Sequence, residues 1–163
     1  SRGGGYTSEN LVMISNYVIT KLGESSVVVT SSIDNLKIVK EYQVSDSTLK
    51  TTYYLSGSSG SNELLLTEMA FSPYSLNELR LEVGGEVIET GRYVETDEFM
   101  VVSESNVLKV RLSEVASLWG WKQVTLSRTE KGVKESLQGL MIALGLKIKD
   151  LTREYFQITL HVT

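Results

Sequence analysis

Residues 155–162 alternate strictly. Phe156, Ile158, Leu160 and Val162 fall on one side, and Tyr155, Gln157, Thr159 and His161 on the other. A period of two is the signature of a strand with one buried face and one wet face. It commits this stretch to a sheet, and its apolar side needs a second layer to cover it. The single histidine lies on the wet side, and the chain has no cysteine. Disulfide frameworks, zinc fingers, iron–sulfur clusters and cysteine nucleophiles are thereby excluded. A serine nucleophile would have His161 as its only imidazole base.

The 163 residues, 41% of them hydrophobic and 22% charged, fit one ordered domain (1–163) with a real core. Residues 1–7 (containing Gly3-Gly4-Gly5) read as a flexible arm, and the rest divides into structural halves at about 8–75 and 76–163. The net charge of −4 gives no basic stripe for double-stranded DNA. No run approaches the ~18 apolar residues of a membrane helix, and no signal peptide opens the sequence. The compartment stays unassigned, since lack of cysteine suits an oxidising or a reducing one.

Helix signals occur twice. Ser8 as N-cap, Leu11, Ile14, Val18 and Leu22 at helical spacing, and Gly23 after them predict a helix over 8–22. Ser127-Arg128-Thr129-Glu130 has the form of a capping box, and Val133, Leu137, Leu140, Met141 and Leu144 form a stripe before Gly145. These predict the principal helix over 129–144, in which Gly132 and Gly139 would mark close packing. A shorter helix is expected from Ser113 to Gly120.

Strand signals fill the rest. Ser26–Thr30 and Thr48–Leu55 are β-branched or aromatic, 33–44 is ambiguous but leans to strand, and 63–71 suits a hairpin back onto the preceding strand. Gly84-Gly85 joins two alternating segments as a tight hairpin turn, because both positions tolerate positive φ. With Glu98–Val102 and Val107–Leu112 this predicts a four-stranded antiparallel meander. The expected class is α+β, a mainly antiparallel, strongly curved or two-layer sheet with helices 8–22 and 129–144 packed against it.

Three constellations bear on function. The polar but uncharged face of the last strand (Tyr155, Gln157, Thr159, His161) would be an unprotected edge inviting a partner strand. The aromatic and basic residues Trp119, Trp121, Lys122, Arg128, Lys131 and Lys134 could stack and neutralise single-stranded DNA or RNA, if they share one surface. The carboxylates Glu95, Asp97 and Glu98 could hold a divalent metal for hydrolysis, although they lack calcium-loop spacing and read more simply as a solvated turn. The glycine-rich Gly57-Ser58-Ser59-Gly60 falls one residue short of a nucleophile elbow and lacks a P-loop ending. The reading that follows is a non-catalytic binding or assembly module without a cofactor. It would contact another protein or copies of itself, with single-stranded nucleic acid and metal-assisted hydrolysis as alternatives.

Overall fold

The computed structural model describes residues 16–57, 64–73, 75–147 and 155–163. The arm expected over 1–7, the first half of the helix expected over 8–22, and the centre of the serine–glycine loop lie outside these residues. Among the described residues every regular element is a strand, so the class is all-β and the expected α+β class is corrected. In chain order the strands are β1 (Val18–Leu22), β2 (Ser26–Ile33), β3 (Leu36–Ser45), β4 (Thr48–Gly57), β5 (Leu64–Phe71), β6 (Arg80–Val83), β7 (Glu86–Ile88), β8 (Tyr93–Val102), β9 (Val107–Thr129), β10 (Gly132–Lys147) and β11 (Tyr155–Val162). They form one antiparallel sheet in the order β1-β2-β3-β4-β11-β9-β8-β6-β7, with β10 pairing β9 and β5.

That sheet folds over on itself at β9. The first part of β9 pairs with β11 through Leu108–Leu112, and its later part pairs with β10 through Ser117–Thr129. The register against β8 breaks between Thr96 and Glu98, opposite residues 112–115 of β9, and this bulge bends both strands. The β9–β10–β5 layer is thereby carried over the β4–β11–β9–β8–β6 layer. Phe99, Val110, Leu118, Ile142, Leu144 and Ile158, all at most 1% exposed, fill the space between them. Phe156 and Ile158 of β11 point into this core as the period-two pattern predicts.

The helices fail for identifiable reasons. Val18-Ile19-Thr20 is β-branched, and β1 pairs along β2 instead of coiling. Its Val18, Ile19 and Leu22 are 65%, 62% and 74% exposed, so the described part of the 3.6-residue stripe has no buried face to reward it. Over 129–144 two periods coexist. Leu140, Ile142, Leu144 and Leu146 also repeat every second residue, and these are the buried set, at 4%, 0%, 0% and 4% exposure. The strand gains partners on both sides, β9 and β5, whereas a helix would carry two interior glycines at ~1 kcal/mol each. The capping-box residues close a hairpin instead: the Thr129 hydroxyl donates to the Gly132 carbonyl at 3.0 Å, and the Ser127 hydroxyl to that of Lys134 at 3.4 Å. Gly139 does mark close packing, since a Cβ there would lie 2.5 Å from the Phe71 carbonyl oxygen. The short helix expected over 113–120 is the middle of β9.

The strands also pair differently from expectation. Gly84 and Gly85 take φ of 58° and 84° and close the β6–β7 hairpin. The next strand, β8, then pairs with β6 and not with β7, so the region is not a meander. β5 does not return onto β4 but faces it across the core, where the Tyr53 hydroxyl shares a buried 2.8 Å hydrogen bond with Thr67. Burial, opposed by that bond, pushes the Tyr53 phenol up to about 12. A raised phenol pKa contributes stability that is whole below the unfolded value of about 10 and is lost as pH rises towards 12. Tyr53→Phe strands the buried Thr67 hydroxyl and should cost ~1–2 kcal/mol at pH 7 in urea denaturation. That gap should narrow from pH 10 upward, because only the wild type then loses the phenol's contribution. A gap constant across this range would contradict the assignment.

Candidate functional site

β11 lies between β4, which pairs Tyr155–His161, and β9, which pairs Ile158–Val162. Of the residues expected to meet a partner strand, Thr159 and His161 have ladder neighbours on both sides, and Tyr155 and Gln157 have them on the β4 side. His161 stays on the wet side, with Nδ1 3.0 Å from the Thr48 hydroxyl and 3.5 Å from that of Ser47.

The carboxylate cluster does not converge either. Glu95 and Glu98 lie on either side of the β8 bulge at Asp97. Glu98 accepts from Arg111 Nε at 2.8 Å, and Glu95 accepts from the Tyr93 hydroxyl at 2.8 Å. Among the described residues no group of three or more potential metal ligands lies close enough to hold an ion, and Glu95, Asp97 and Glu98 are not brought together into one.

The aromatic and basic residues are sorted by the pleat. Trp119 and Trp121 occupy odd positions of β9, on the outer side. Leu118 and Gly120, buried against the core, mark the inner side, and Lys122 and Arg128 continue that inner face. Lys131 sits in the β9–β10 turn. Lys134, opposite Ser127, returns to the outer face but lies six β9 positions from Trp121, ~20 Å along the strand. The shared surface that nucleic-acid stacking requires is not formed by these six residues.

The registers assemble a different outer surface around the tryptophans. Directly paired residues of an antiparallel ladder point to the same side, about 5 Å apart. One row therefore reads Tyr93 on β8, Trp119 on β9, Ala143 on β10 and Glu68 on β5. On one side of it lies Glu95, Ser117, Gly145, Leu66, and on the other Trp121, Met141, Ala70. The Tyr93 and Trp119 rings meet at 5.4 Å with planes tilted by 42°, and Tyr93 is 50% exposed. The Gly91 N–H donates to the Gly120 carbonyl at 3.0 Å and ties the start of β8 to β9. Three aromatic rings thus share one sheet face with two carboxylates, and the small residues Ala143, Gly145 and Ala70 lie between them.

Sequence reading finds Trp119 and Trp121 but misses Tyr93 and Glu68. Tyr93 carries a local signal in its alternation with Glu95 about Val94, although Glu95 reads by sequence as part of a turn. Glu68 carries none, because its neighbours arrive from β10, far along the chain. On the inner side, a pocket of about 250 Å³ lies where the β6–β7 hairpin meets β9 and β10, walled by Leu79, Leu81, Val87, Ile88 and Leu140. Arg80 and Lys122 also line it, but Arg80 is engaged by Glu82 at 2.6 Å.

No family model and no curated protein matches the chain. Solved structures do share the fold. The 4-α-glucanotransferase of Thermococcus litoralis is similar to 89% of this chain, over 22% of its own, with 16% identity and a TM-score of 0.70. A candidate aldose 1-epimerase from Escherichia coli K12 is similar over 91% of this chain and 69% of its own, with 8% identity and a TM-score of 0.59. The heparan sulfate lyase of Pedobacter heparinus matches 90% of this chain and 21% of its own, with 12% identity and a TM-score of 0.51. These neighbours are carbohydrate-active enzymes, and at these identities the likeness is one of fold. The chain spans about a fifth of the glucanotransferase and of the lyase.

Proposed function

We propose that this chain is a non-catalytic saccharide-binding module, and that the outer face of β8, β9, β10 and β5 carries the ligand. The observation behind this reading is the row Tyr93–Trp119–Ala143–Glu68 with Glu95 and Trp121 beside it. A pyranose ring presents C–H bonds with partial positive charge on its flat sides and hydroxyls at its rim. The negative faces of indole and phenol rings attract the former. Carboxylates accept strong, charge-assisted hydrogen bonds from the latter. The module reading agrees with the fold, since the glucanotransferase and the lyase each hold this fold in about a fifth of their length.

Charge selects among saccharides. Glu68 and Glu95 would repel a sulfated chain, whereas Lys122 and Arg128 are on the opposite face, Lys134 is far along β10, and Lys147 alone of the β10 cations stands near the stacking rows, one row beyond Gly145. A neutral glucan therefore fits, and a heparan-type chain does not. The same argument sets this reading above single-stranded nucleic acid, whose phosphates would meet carboxylates at the stacking rings.

Titration of the protein with maltoheptaose, and separately with a heparan sulfate oligosaccharide, followed by tryptophan fluorescence and calorimetry, tests the proposal. Two or three stacked rings at ~1–1.5 kcal/mol each, with their hydrogen bonds, place the Kd for the neutral sugar at about 0.1–1 mM. No heat and no fluorescence change with any neutral oligosaccharide, or preference for the sulfated one, would discard it.

A further inference from the structure

The three outer-face rings do not lie in a line. Tyr93 and Trp119 pair across β8 and β9, strands ~4.8 Å apart, whereas Trp121 follows Trp119 along β9, ~6.7 Å further on. These two directions are at right angles in the sheet, so the rings form an L with Trp119 at its corner. The Tyr93 and Trp119 planes are also tilted by 42°. Neighbouring strands rotate by only ~20–25°, so the side chains themselves turn these two faces apart. The inside of the corner is bare. The position beside both Tyr93 and Trp121 belongs to Gly91, whose N–H donates to the Gly120 carbonyl, and a Cβ there would meet nothing within 4 Å. The carboxylates stand outside the corner. Glu95 lies one row back, accepting from the Tyr93 hydroxyl at 2.8 Å, and Glu68 lies two strands beyond Trp119.

We infer, resting on the saccharide reading above, that this face selects α-1,4-linked glucan over β-linked glucan. The linkage decides the shape of the ligand. In β-1,4-glucan both bonds at each linkage are equatorial, so the chain is a straight ribbon whose pyranose planes stay near parallel. Such a ribbon lies along one limb of the L and leaves the third ring unused. On the Tyr93–Trp119 limb its parallel sugars cannot lie flat on two faces 42° apart. A β-1,3 chain bends, but through equatorial bonds into a more drawn-out helix. In α-1,4-glucan the bond at each C1 is axial, which turns every pyranose relative to the one before and curls the chain. A curled chain follows the corner, meets non-parallel faces in succession, and presents its outer hydroxyls to Glu95 and Glu68. Gly91 leaves the inner side of the curve clear. The preference comes from contact with three rings instead of two, made in the shape the free ligand already has.

Calorimetric titration of the full chain with maltopentaose, cellopentaose and laminaripentaose, matched in length, tests this. Maltopentaose should bind at least about tenfold more tightly than either β-linked pentaose, since one further stacked ring is worth about that factor. Tyr93→Ala removes one limb of the L and should bring the ratio of affinities to within about threefold. Tyr93→Phe keeps the ring without its hydroxyl, so it should retain the preference. Tyr93 is on the exposed face, and unchanged circular dichroism is the check on folding in both variants. Equal affinity for maltopentaose and a β-linked pentaose overturns the inference, as does a preference that survives Tyr93→Ala or is lost in Tyr93→Phe. In each of those cases a neutral glucan still binds, and the saccharide reading stands. If no neutral pentaose binds, that reading fails and this inference falls with it.

Discussion

Trp121→Ala should weaken binding of a neutral glucan about tenfold, the equivalent of ~1.4 kcal/mol, and leave the thermal midpoint within ~3 °C of wild type. The asymmetry follows from the position of the ring. Trp121 pairs with Met141 on the outer face, one row beyond Trp119, and it is absent from the buried cluster that holds the layers together. Its removal takes away a stacking surface without opening a cavity. Tyr93→Ala should act in the same direction and also release Glu95, whose carboxylate the Tyr93 hydroxyl holds at 2.8 Å. Lys122→Ala and Arg128→Ala provide the discriminating contrast. Both lie on the inner face of β9, so they should leave glucan affinity unchanged. If they lowered affinity as much as Trp121→Ala, the ligand would lie on the inner face of β9, and the outer-face reading would be lost.

Ile142→Ala should destabilise the chain by ~2–5 kcal/mol, lowering the thermal midpoint by roughly 5–15 °C. Ile142 is 0% exposed at the centre of β10, opposite Gly120 on one side and Met69 on the other. Truncation removes buried methyl groups from a site framed by two paired strands. Neither strand can collapse into the space without breaking its ladder, so the cavity remains. Val133→Ala should change stability by less than ~0.5 kcal/mol, because Val133 is 68% exposed near the β9–β10 turn. The pair separates two descriptions of the same segment. A helix over 129–144 would bury Val133 with Leu137, Leu140, Met141 and Leu144, and would leave Ile142 outside that stripe. Equal costs at the two positions would be inconsistent with the strand.

The competition within that segment explains much of what the sequence conceals. A near-continuous apolar run such as Leu140–Leu146 satisfies the periods 2 and 3.6 at once, and local residues do not choose between them. The choice falls to partners remote in sequence: β9 on one side and β5, some seventy residues earlier (Met69 opposite Ile142), on the other. Ser127-Arg128-Thr129-Glu130 shows the same ambiguity at smaller scale. Hydroxyls that would cap a helix are equally able to donate to carbonyls across a hairpin, as Thr129 does to Gly132.

Some features were legible locally because local physics is sufficient for them. The alternation of Phe156, Ile158 and Leu160 assigns the faces of β11 without knowledge of its neighbours, and Gly84-Gly85 supplies the positive φ values that a two-residue turn demands. Absence of cysteine and the single histidine limit the chemistry in the same direct way. Which strands pair was not legible. Nothing in Tyr155–Val162 says that β4 and β9 flank it, and nothing near Glu68 says that Trp119 lies two strands away. Those facts depend on long-range pairing, in which hydrophobic burial between two layers outweighs local preference. The sequence by itself determined which face of each recognisable strand is apolar and where its tightest turn lies. The tertiary structure alone decided that helix-like segments become strands, and that Tyr93, Trp119, Trp121, Glu68 and Glu95 share one surface while Lys122 and Arg128 are turned to the other.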